Sequence, residues 1–206
     1  MSRLIFLGFA VMVAVGFVLE ETGSEYFNRI NQHRVKTDSS FADSSTSILS
    51  NEDRQYFNGL PYFEVDTKYA VQANFKRIRF GKKFEMKTST DRLPIYKPYG
   101  RLSFVLNGSL QTLTVYQNIA LSKKEEYKNY LFCPFQDQTN GMQSYGGGRY
   151  LDVDLSDLKE GVLLLDFNLA YNPYCAYNSK YSCPIPPKEN KLLTKIEAGV
   201  KKWDSH

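Results

Sequence analysis

The stretch Leu102–Val115, LSFVLNGSLQTLTV, contains the clearest structural signal of the chain, because it has the pattern of two strands joined by a tight turn. Apolar residues alternate in both halves, which places them on one face of each strand. Facing Phe104 with Leu113 requires Gly108–Ser109 as the two-residue loop, and a first-position glycine is typical of a type II′ turn. The alternative turn at Asn107–Gly108 is expected to slip the register and bury the wrong face.

Three further segments have the patterns of strands. Apolar residues alternate over Val71–Phe75 and Leu151–Leu155, whereas Val162–Phe167 is almost continuously apolar, as in a strand covered on both sides. The 15 tyrosines and 14 phenylalanines also favour strands. With turn signals at short intervals and no long helical period, the sequence predicts a mainly-β fold. We expect a single-domain antiparallel barrel or sandwich with short N-terminal helices.

The composition is that of a folded domain. The chain has 206 residues, a formal net charge of +4 and 42% hydrophobic residues. These values exclude a disordered protein, a collagen and a polytopic membrane protein. The length suits one domain, which we assign to residues 51–206.

Residues 1–19 have the pattern of a targeting segment. Arg3 precedes an apolar run of sixteen residues, Leu4–Leu19. That length lies between a signal-peptide core and a spanning helix. Ala14 and Gly16 favour a cleaved signal peptide, and a short uncleaved N-terminal anchor is the alternative. Both predict an exported protein of the periplasm or cell envelope that contacts a membrane only through an uncleaved segment.

A polar segment, residues 20–50, connects this stretch to the β domain. Ser24–Arg34 has scattered apolar positions that are consistent with a short helix, and Thr37–Ser50 is rich in Ser, Thr and Asp, which is typical of a flexible connector. Ser50 precedes acidic residues at first-turn positions. It therefore predicts the N-cap of a brief second helix that runs through Phe57.

The three cysteines are interpreted in the light of an oxidising compartment. Cys175 and Cys183 lie in one Pro- and Tyr-rich loop and are the candidate disulfide, while Cys133 is expected to be a small buried apolar residue. The chain has no CxxC motif, and His33 and His206 are distant in sequence. We therefore predict no metal site and no cofactor.

The string YGGGRY, residues 145–150, is the most unusual in the chain. In one interpretation its glycines bring bare backbone amides to an anion, and Arg149 supplies charge. In the other it is a glycine bend that enters the strand at Leu151. No P-loop or dinucleotide fingerprint is present.

Two acidic residues, Asp166 and Asp137, are the candidates for catalysis. Asp166 lies in an apolar strand, where a carboxylate is costly unless it is paired, so it is either a general acid or a structural pin. Asp137 has the same two interpretations, with Asx-turn capping as the structural one. The two histidines lie in poor positions for a catalytic triad, so an enzyme would depend on Asp, Tyr and Arg.

Basic and aromatic residues interleave over Phe75–Phe84, as in strands that bind nucleic acid. The export signal argues against that partner, and lysines on an edge strand are a common guard against aggregation. We therefore predict no nucleic-acid partner. Contact with an anionic envelope surface is the alternative.

Several strings, in order and at natural spacing, coincide with a known family: YKPYG at 96–100, LFCPFQD at 131–137, YGGGRYLD at 145–152, DFNLAYNP at 166–173, CPIPP at 183–187 with EN at 189–190, and AG at 198–199. From about Asn51 onward the chain resembles the bacterial family catalogued as domain of unknown function 1684. It departs from that pattern at Cys133, usually an aliphatic residue, and at Val200, often an acid. The resemblance implies a shared fold unit and no particular reaction.

Three functional hypotheses follow. In the first, the protein binds a small polar or anionic ligand in a cavity at one end of the barrel, lined by Arg149, Tyr145, Tyr150, Gly147, Tyr99 and Asn172. In the second it is a hydrolase or lyase, with Asp166 or Asp137 as acid or base and Arg149 stabilising negative charge. In the third it is a structural component of the cell envelope. The sequence predicts neither the ligand nor the oligomeric state.

Overall fold

A computed structural model describes residues 22–203, and its centre is one curved antiparallel sheet of seven strands. The sheet order is β6-β5-β4-β3-β1-β7, with the short β2 paired to β3, and every pairing is antiparallel. The sheet forms a half-barrel, which confirms the mainly-β antiparallel prediction. The strands are β1 (Ala70–Arg77), β2 (Phe84–Glu85), β3 (Ile95–Leu106), β4 (Ser109–Asn118), β5 (Tyr130–Phe135), β6 (Arg149–Asp154) and β7 (Val162–Asp166).

The two faces of the sheet carry different side chains. One face holds the main aliphatic core, in which Leu102, Leu113 and Leu131 are fully buried. The other face carries a mostly aromatic cluster, whose buried members are Met86, Tyr96, Tyr116, Phe132 and Tyr150. Because neighbouring residues of a strand point to opposite faces, each central strand contributes to both layers.

The hairpin between β3 and β4 turns at Asn107–Gly108, so the predicted Gly108–Ser109 turn is wrong. Asn107 has φ 50° and Gly108 φ 73°, the left-handed pair that a type I′ turn requires and whose twist matches that of the strands. Leu102 faces Leu113. Burial does not distinguish the two turns, because both pair even-numbered residues of β3 with odd-numbered residues of β4.

Helix α1 (Gly23–Ala42) packs against the sheet and extends well beyond the predicted short helix. Its later turns are anchored by tertiary contacts. The Asp38 carboxylate accepts hydrogen bonds from the Leu60 amide and the Tyr62 hydroxyl, each at 3.1 Å. Phe41 is buried in a second apolar cluster. Tertiary packing therefore keeps a Ser- and Asp-rich sequence helical.

The second helix, α2 (Asn51–Gln55), begins where the sequence predicted and ends before Phe57. The Ser50 hydroxyl accepts a hydrogen bond from the Asp53 amide at 3.0 Å, which is an N-cap. The predicted targeting segment, residues 1–19, lies outside the described residues. Between residues 22 and 203 no helix is long and apolar enough to cross a membrane.

Candidate functional site

Arg149 begins β6 on the aliphatic face and is fully buried. Its guanidinium forms an ion pair with Asp137 at 2.8 Å, and neither side chain has any exposed surface. It also donates to the backbone carbonyls of Ile196, at 2.7 Å, and Ala198. Arg149 therefore joins β6 to the C-terminal segment inside the protein, away from solvent.

Asp137 completes this buried clamp. Its Oδ1 atom accepts hydrogen bonds from the Thr139 amide at 2.8 Å, the Thr139 hydroxyl at 2.6 Å and the Ile196 amide at 3.1 Å. Burial lowers the pKa of Arg149, and the neighbouring charge of Asp137 opposes that shift. The second functional hypothesis requires this guanidinium and this carboxylate to face a substrate, but both side chains lie entirely inside the protein.

The glycine string forms a bend that leads into β6. Gly148 has φ +97°, and a Cβ there would lie 2.6 Å from the Phe135 carbonyl oxygen. A Cβ on Gly147 would lie 2.5 Å from the Tyr145 ring. The Gly148 amide donates to the Tyr145 carbonyl at 3.1 Å, which closes a turn. These contacts fit the second interpretation, a bend with no room for a side chain.

Asp166 lies at the end of β7 and holds α1. Both of its carboxylate oxygens accept from the Tyr26 hydroxyl at 3.1 Å, and Oδ1 accepts from the Asn168 amide at 3.0 Å. Arg29 approaches to 3.8 Å. None of these contacts involves the buried clamp, so the structure does not bring Asp166 together with Arg149.

Tyr99 and Asn172, two of the residues predicted to bind a ligand, also lie apart from each other. The Arg77 guanidinium stacks 3.1 Å above the ring centre of Tyr99. Asn172 is buried and donates to the Lys201 carbonyl at 2.8 Å, while its Oδ1 atom has no hydrogen-bond partner. Asn172 lines a cavity of about 370 Å³ beside α1.

The aromatic face of the sheet forms a larger cavity of about 640 Å³, which we call the tyrosine cavity. Among the residues predicted to line a site, Tyr150 lies in its wall. The sequence prediction missed the other aromatic residues, although their signal was present: in β5, Phe132 alternates with the core residues Leu131 and Cys133. The aromatic lining residues are Tyr96, Tyr130, Phe132, Tyr150, Tyr171 and Tyr174.

Ring contacts fix the shape of the tyrosine cavity. Phe132 and Tyr150 meet edge to face with centroids 4.6 Å apart, and Tyr150 meets Tyr171 in the same way at 5.7 Å. Tyr96 lies 5.8 Å from Phe132. Such pairs add to the stability that burial supplies, so the wall is ordered before a ligand arrives.

The phenol groups of the wall are already hydrogen-bonded. The hydroxyls of Tyr130 and Tyr171 both donate to Asp152 Oδ1 at 2.8 Å, and that of Tyr150 donates to the Pro184 carbonyl. Burial raises the pKa of all three phenols, which therefore stay neutral at physiological pH. The rings present apolar surface to the cavity.

The charged residues at the cavity have one sign. Arg92 and Lys123 line it, both are exposed at its rim, and no acidic residue is among its described lining residues. The Arg92 side chain donates to the Ser182 carbonyl at 2.7 Å and hydroxyl at 3.1 Å, which fixes the guanidinium there. An apolar hollow with a basic rim results.

The three cysteines carry free thiols. Cys133 is buried in the core, and Cys183 lines the tyrosine cavity. The Cys175 amide donates to the Cys183 sulfur at 3.1 Å, so the predicted pair is in contact without a bond between the sulfurs. Across residues 22–203 no group of three or more His, Cys, Asp or Glu side chains is arranged to hold a metal.

A comparison with known families matches residues 55–201 to one described as "Protein of unknown function (DUF1684)". The chain belongs to this family. The matched part of the DUF1684 domain contains both the buried clamp and every residue that lines the tyrosine cavity. No curated protein matches the chain.

A solved structure resembles this DUF1684 domain closely. It is the solution NMR structure of an uncharacterized protein from Haloarcula marismortui, 36% identical in sequence, with a TM-score of 0.66. The match covers 86% of this chain and 95% of that chain. Because that organism is an archaeon, similar proteins are not confined to bacteria, and that part of the predicted resemblance is not borne out.

Proposed function

We propose that this DUF1684 domain binds a small molecule with a flat apolar body and a negatively charged group in the tyrosine cavity. The observation that carries the proposal is the combination of an aromatic wall with a rim that is basic at Arg92 and Lys123. The volume of the tyrosine cavity, about 640 Å³, lies within the range of small-molecule sites, which are concave, mostly apolar and few in number.

The charge of the ligand follows from the rim. An anionic group placed at the mouth of the cavity would meet the guanidinium of Arg92, which presents planar donors suited to a carboxylate or phosphate. Because the hydroxyls of Tyr130, Tyr150 and Tyr171 already have acceptors, they offer little to a strongly polar ligand. The body of the ligand is therefore expected to be apolar. In this proposal Arg92 takes the role of binding the anionic group, which the sequence-based hypothesis gave to Arg149.

An enzyme built on Asp137, Asp166 and Arg149 has weaker support. Proton transfer needs a carboxyl group within hydrogen-bond reach of the substrate. Asp137 and Arg149 have no exposed side-chain surface, and Asp166 is occupied by α1. A purely structural role in the envelope leaves the tyrosine cavity unexplained.

Binding of 2-naphthoate, measured by isothermal titration calorimetry, tests the proposal. We expect it to bind at least tenfold more tightly than the neutral analogue 2-naphthalenemethanol. Arg92→Gln and Lys123→Gln should each weaken naphthoate binding about fivefold, equivalent to about 1 kcal/mol for an exposed charge, without weakening binding of the alcohol. Lys82→Gln removes an exposed lysine outside the cavity and should change neither.

A variant that fills the cavity provides the decisive control. Ile119 is half-buried in the wall, so Ile119→Trp should abolish binding of both compounds while the protein stays folded by circular dichroism. Undiminished naphthoate binding to Ile119→Trp, or no binding of either compound to the unaltered protein, would refute the proposal.

We also propose that residues 1–19 export the protein. The support is the apolar run Leu4–Leu19 that follows Arg3. We expect protein recovered from its native cells to lie outside the cytoplasm and to have lost about 16–19 N-terminal residues, as measured by its intact mass. Full-length protein in the membrane fraction would support the anchor alternative, whereas full-length protein in the cytosol would contradict export.

A further inference from the structure

Cys175 and Cys183 form a close thiol pair at one edge of the tyrosine cavity. The Cys175 amide donates to the Cys183 sulfur at 3.1 Å, and the Tyr145 hydroxyl lies 3.9 Å from the Cys175 sulfur. The Cys183 amide donates to the Ser89 hydroxyl at 3.1 Å, which ties the second cysteine to the loop after β2. The backbone of this short loop therefore holds the two cysteines side by side.

The two sulfurs differ in access and in proton affinity. Cys175 is half-buried, whereas Cys183 is buried. A hydrogen bond from the Cys183 thiol, followed by those from Ser89 and Tyr145, lowers the pKa of Cys175 to about 6. The hydrogen bond to Cys175, followed by burial, raises the pKa of Cys183, and the charge on Cys175 adds to this. The pair therefore retains one proton at neutral pH and titrates as a unit.

Cys133 shows that this environment is specific to the pair. It is fully buried in the aliphatic core, and burial raises its pKa. Thiolate character and access determine cysteine reactivity. Cys133 is thus an internal control, since it should react only when the protein unfolds.

We infer that Cys175 and Cys183 form a thiol–disulfide exchange site that acts on small-molecule disulfides. The Cys175 thiolate attacks one sulfur of the disulfide, whose S–S bond breaks, and a mixed disulfide forms while one thiolate leaves. Cys183 then gives up its proton and attacks the Cys175 sulfur, which releases the second thiolate. The Cys183 proton passes to the second departing sulfur, so the net result is one intramolecular disulfide, one small thiolate and one small thiol, and electrons and protons balance.

This inference does not depend on the proposed ligand of the tyrosine cavity, because Cys175, which carries the attacking sulfur, does not line that cavity. It also changes the meaning of the predicted disulfide. A permanent structural bond would resist reduction, whereas an exchange site must cycle between the dithiol and the disulfide.

Reaction of the reduced, full-length protein with 5,5′-dithiobis(2-nitrobenzoate) tests the mechanism. The unaltered protein should release two nitrothiobenzoate ions per chain and lose the mass of two hydrogen atoms, with no adduct. Cys183→Ala should release one ion and keep one adduct on Cys175. Cys175→Ala should react at least tenfold more slowly, and Cys133→Ala should behave like the unaltered protein.

The pH dependence identifies the attacking sulfur. At pH 7 about 90% of a thiol with a pKa near 6 is thiolate, against about 3% for an ordinary cysteine. The lower basicity cancels most of this gain, since nucleophilicity falls with a Brønsted slope of about 0.4–0.5. The midpoint of alkylation by iodoacetamide is therefore the sharper readout. It should lie near pH 6 for Cys175 and rise towards 9 in Cys183→Ala.

Three results would overturn the inference. Two adducts per chain without an intramolecular bond would mean that the thiols act independently. An alkylation midpoint near 9 would mean that Cys175 is an ordinary cysteine. A Cys175–Cys183 disulfide that oxidised glutathione forms but that excess reduced glutathione does not reduce in the folded protein would be structural, and not part of an exchange site.

Discussion

Arg149→Met is expected to lower the free energy of unfolding by about 3–5 kcal/mol, the usual cost of removing one partner of a buried ion pair. The substitution keeps the length of the side chain but leaves the Asp137 carboxylate buried without its counter-charge. It also removes donors from the carbonyls of Ile196 and Ala198. Urea unfolding followed by circular dichroism measures the loss. Arg101→Met, at an exposed position of β3, should change stability by less than about 0.5 kcal/mol.

A double-mutant cycle separates the ion pair from the rest of the clamp. Asp137→Asn should also destabilise the protein, because it keeps the Oδ1 acceptor for Thr139 and Ile196 but leaves the buried Arg149 guanidinium without its counter-charge. We expect the double variant to cost about 1–3 kcal/mol less than the sum of the single ones, since charges in direct contact are strongly coupled. Additive effects, or a loss below about 1 kcal/mol in Arg149→Met, would contradict a buried clamp.

Arg149→Met also tests whether Arg149 belongs to a structural clamp or contacts a ligand. Arg149 and Tyr150 are consecutive in β6, so they point to opposite faces, and only Tyr150 lines the tyrosine cavity. At a temperature where Arg149→Met remains folded, its affinity for 2-naphthoate should equal that of the unaltered protein. Loss of binding by a folded variant would restore Arg149 as a ligand residue.

Strand periodicity gave much of the fold in advance. The alternation predicts that Leu102 and Leu113 share one buried face, and both are fully buried there. The same periodicity, applied to Arg149 and Tyr150, would have shown that they cannot share one cavity. The hairpin turn was mispredicted for a different reason. Two turns one residue apart preserve which face is buried, so the twist preference at Asn107–Gly108 had to decide between them.

The tyrosine cavity could not be predicted from the sequence to the same extent, because it is built from strands that are distant in sequence. Tyr96, Phe132 and Tyr150 come from β3, β5 and β6, and their meeting depends on the sheet order. The C-terminal segment has no periodic pattern at all. Asn190 holds it by accepting from the Thr114 amide and donating to the Thr114 carbonyl, each at 2.8 Å. Side-chain contacts to backbone of this kind leave no signal in composition or spacing.

Asp166→Ala is expected to lower the free energy of unfolding by about 2–3 kcal/mol and to loosen α1 selectively. A buried carboxylate that accepts several hydrogen bonds leaves its donors unsatisfied when it is removed. Here the donors are the Tyr26 hydroxyl and both the amide and side chain of Asn168. Because Tyr26 belongs to α1, the backbone amides of α1 should exchange hydrogen faster in the variant, while those of β3 and β4 remain protected.

Asp154→Ala is the matched control. Like Asp166, Asp154 ends a strand and caps a short 3₁₀ turn, accepting from the Ser156 amide at 2.8 Å. It is exposed, and its carboxylate accepts from the amide and hydroxyl of Ser156. Its removal should cost about 1 kcal/mol, the value of a cap, and leave exchange in α1 unchanged. If both variants speed exchange in α1 equally, the attachment of the helix depends on general stability, because a specific role for Asp166 requires the two variants to differ there.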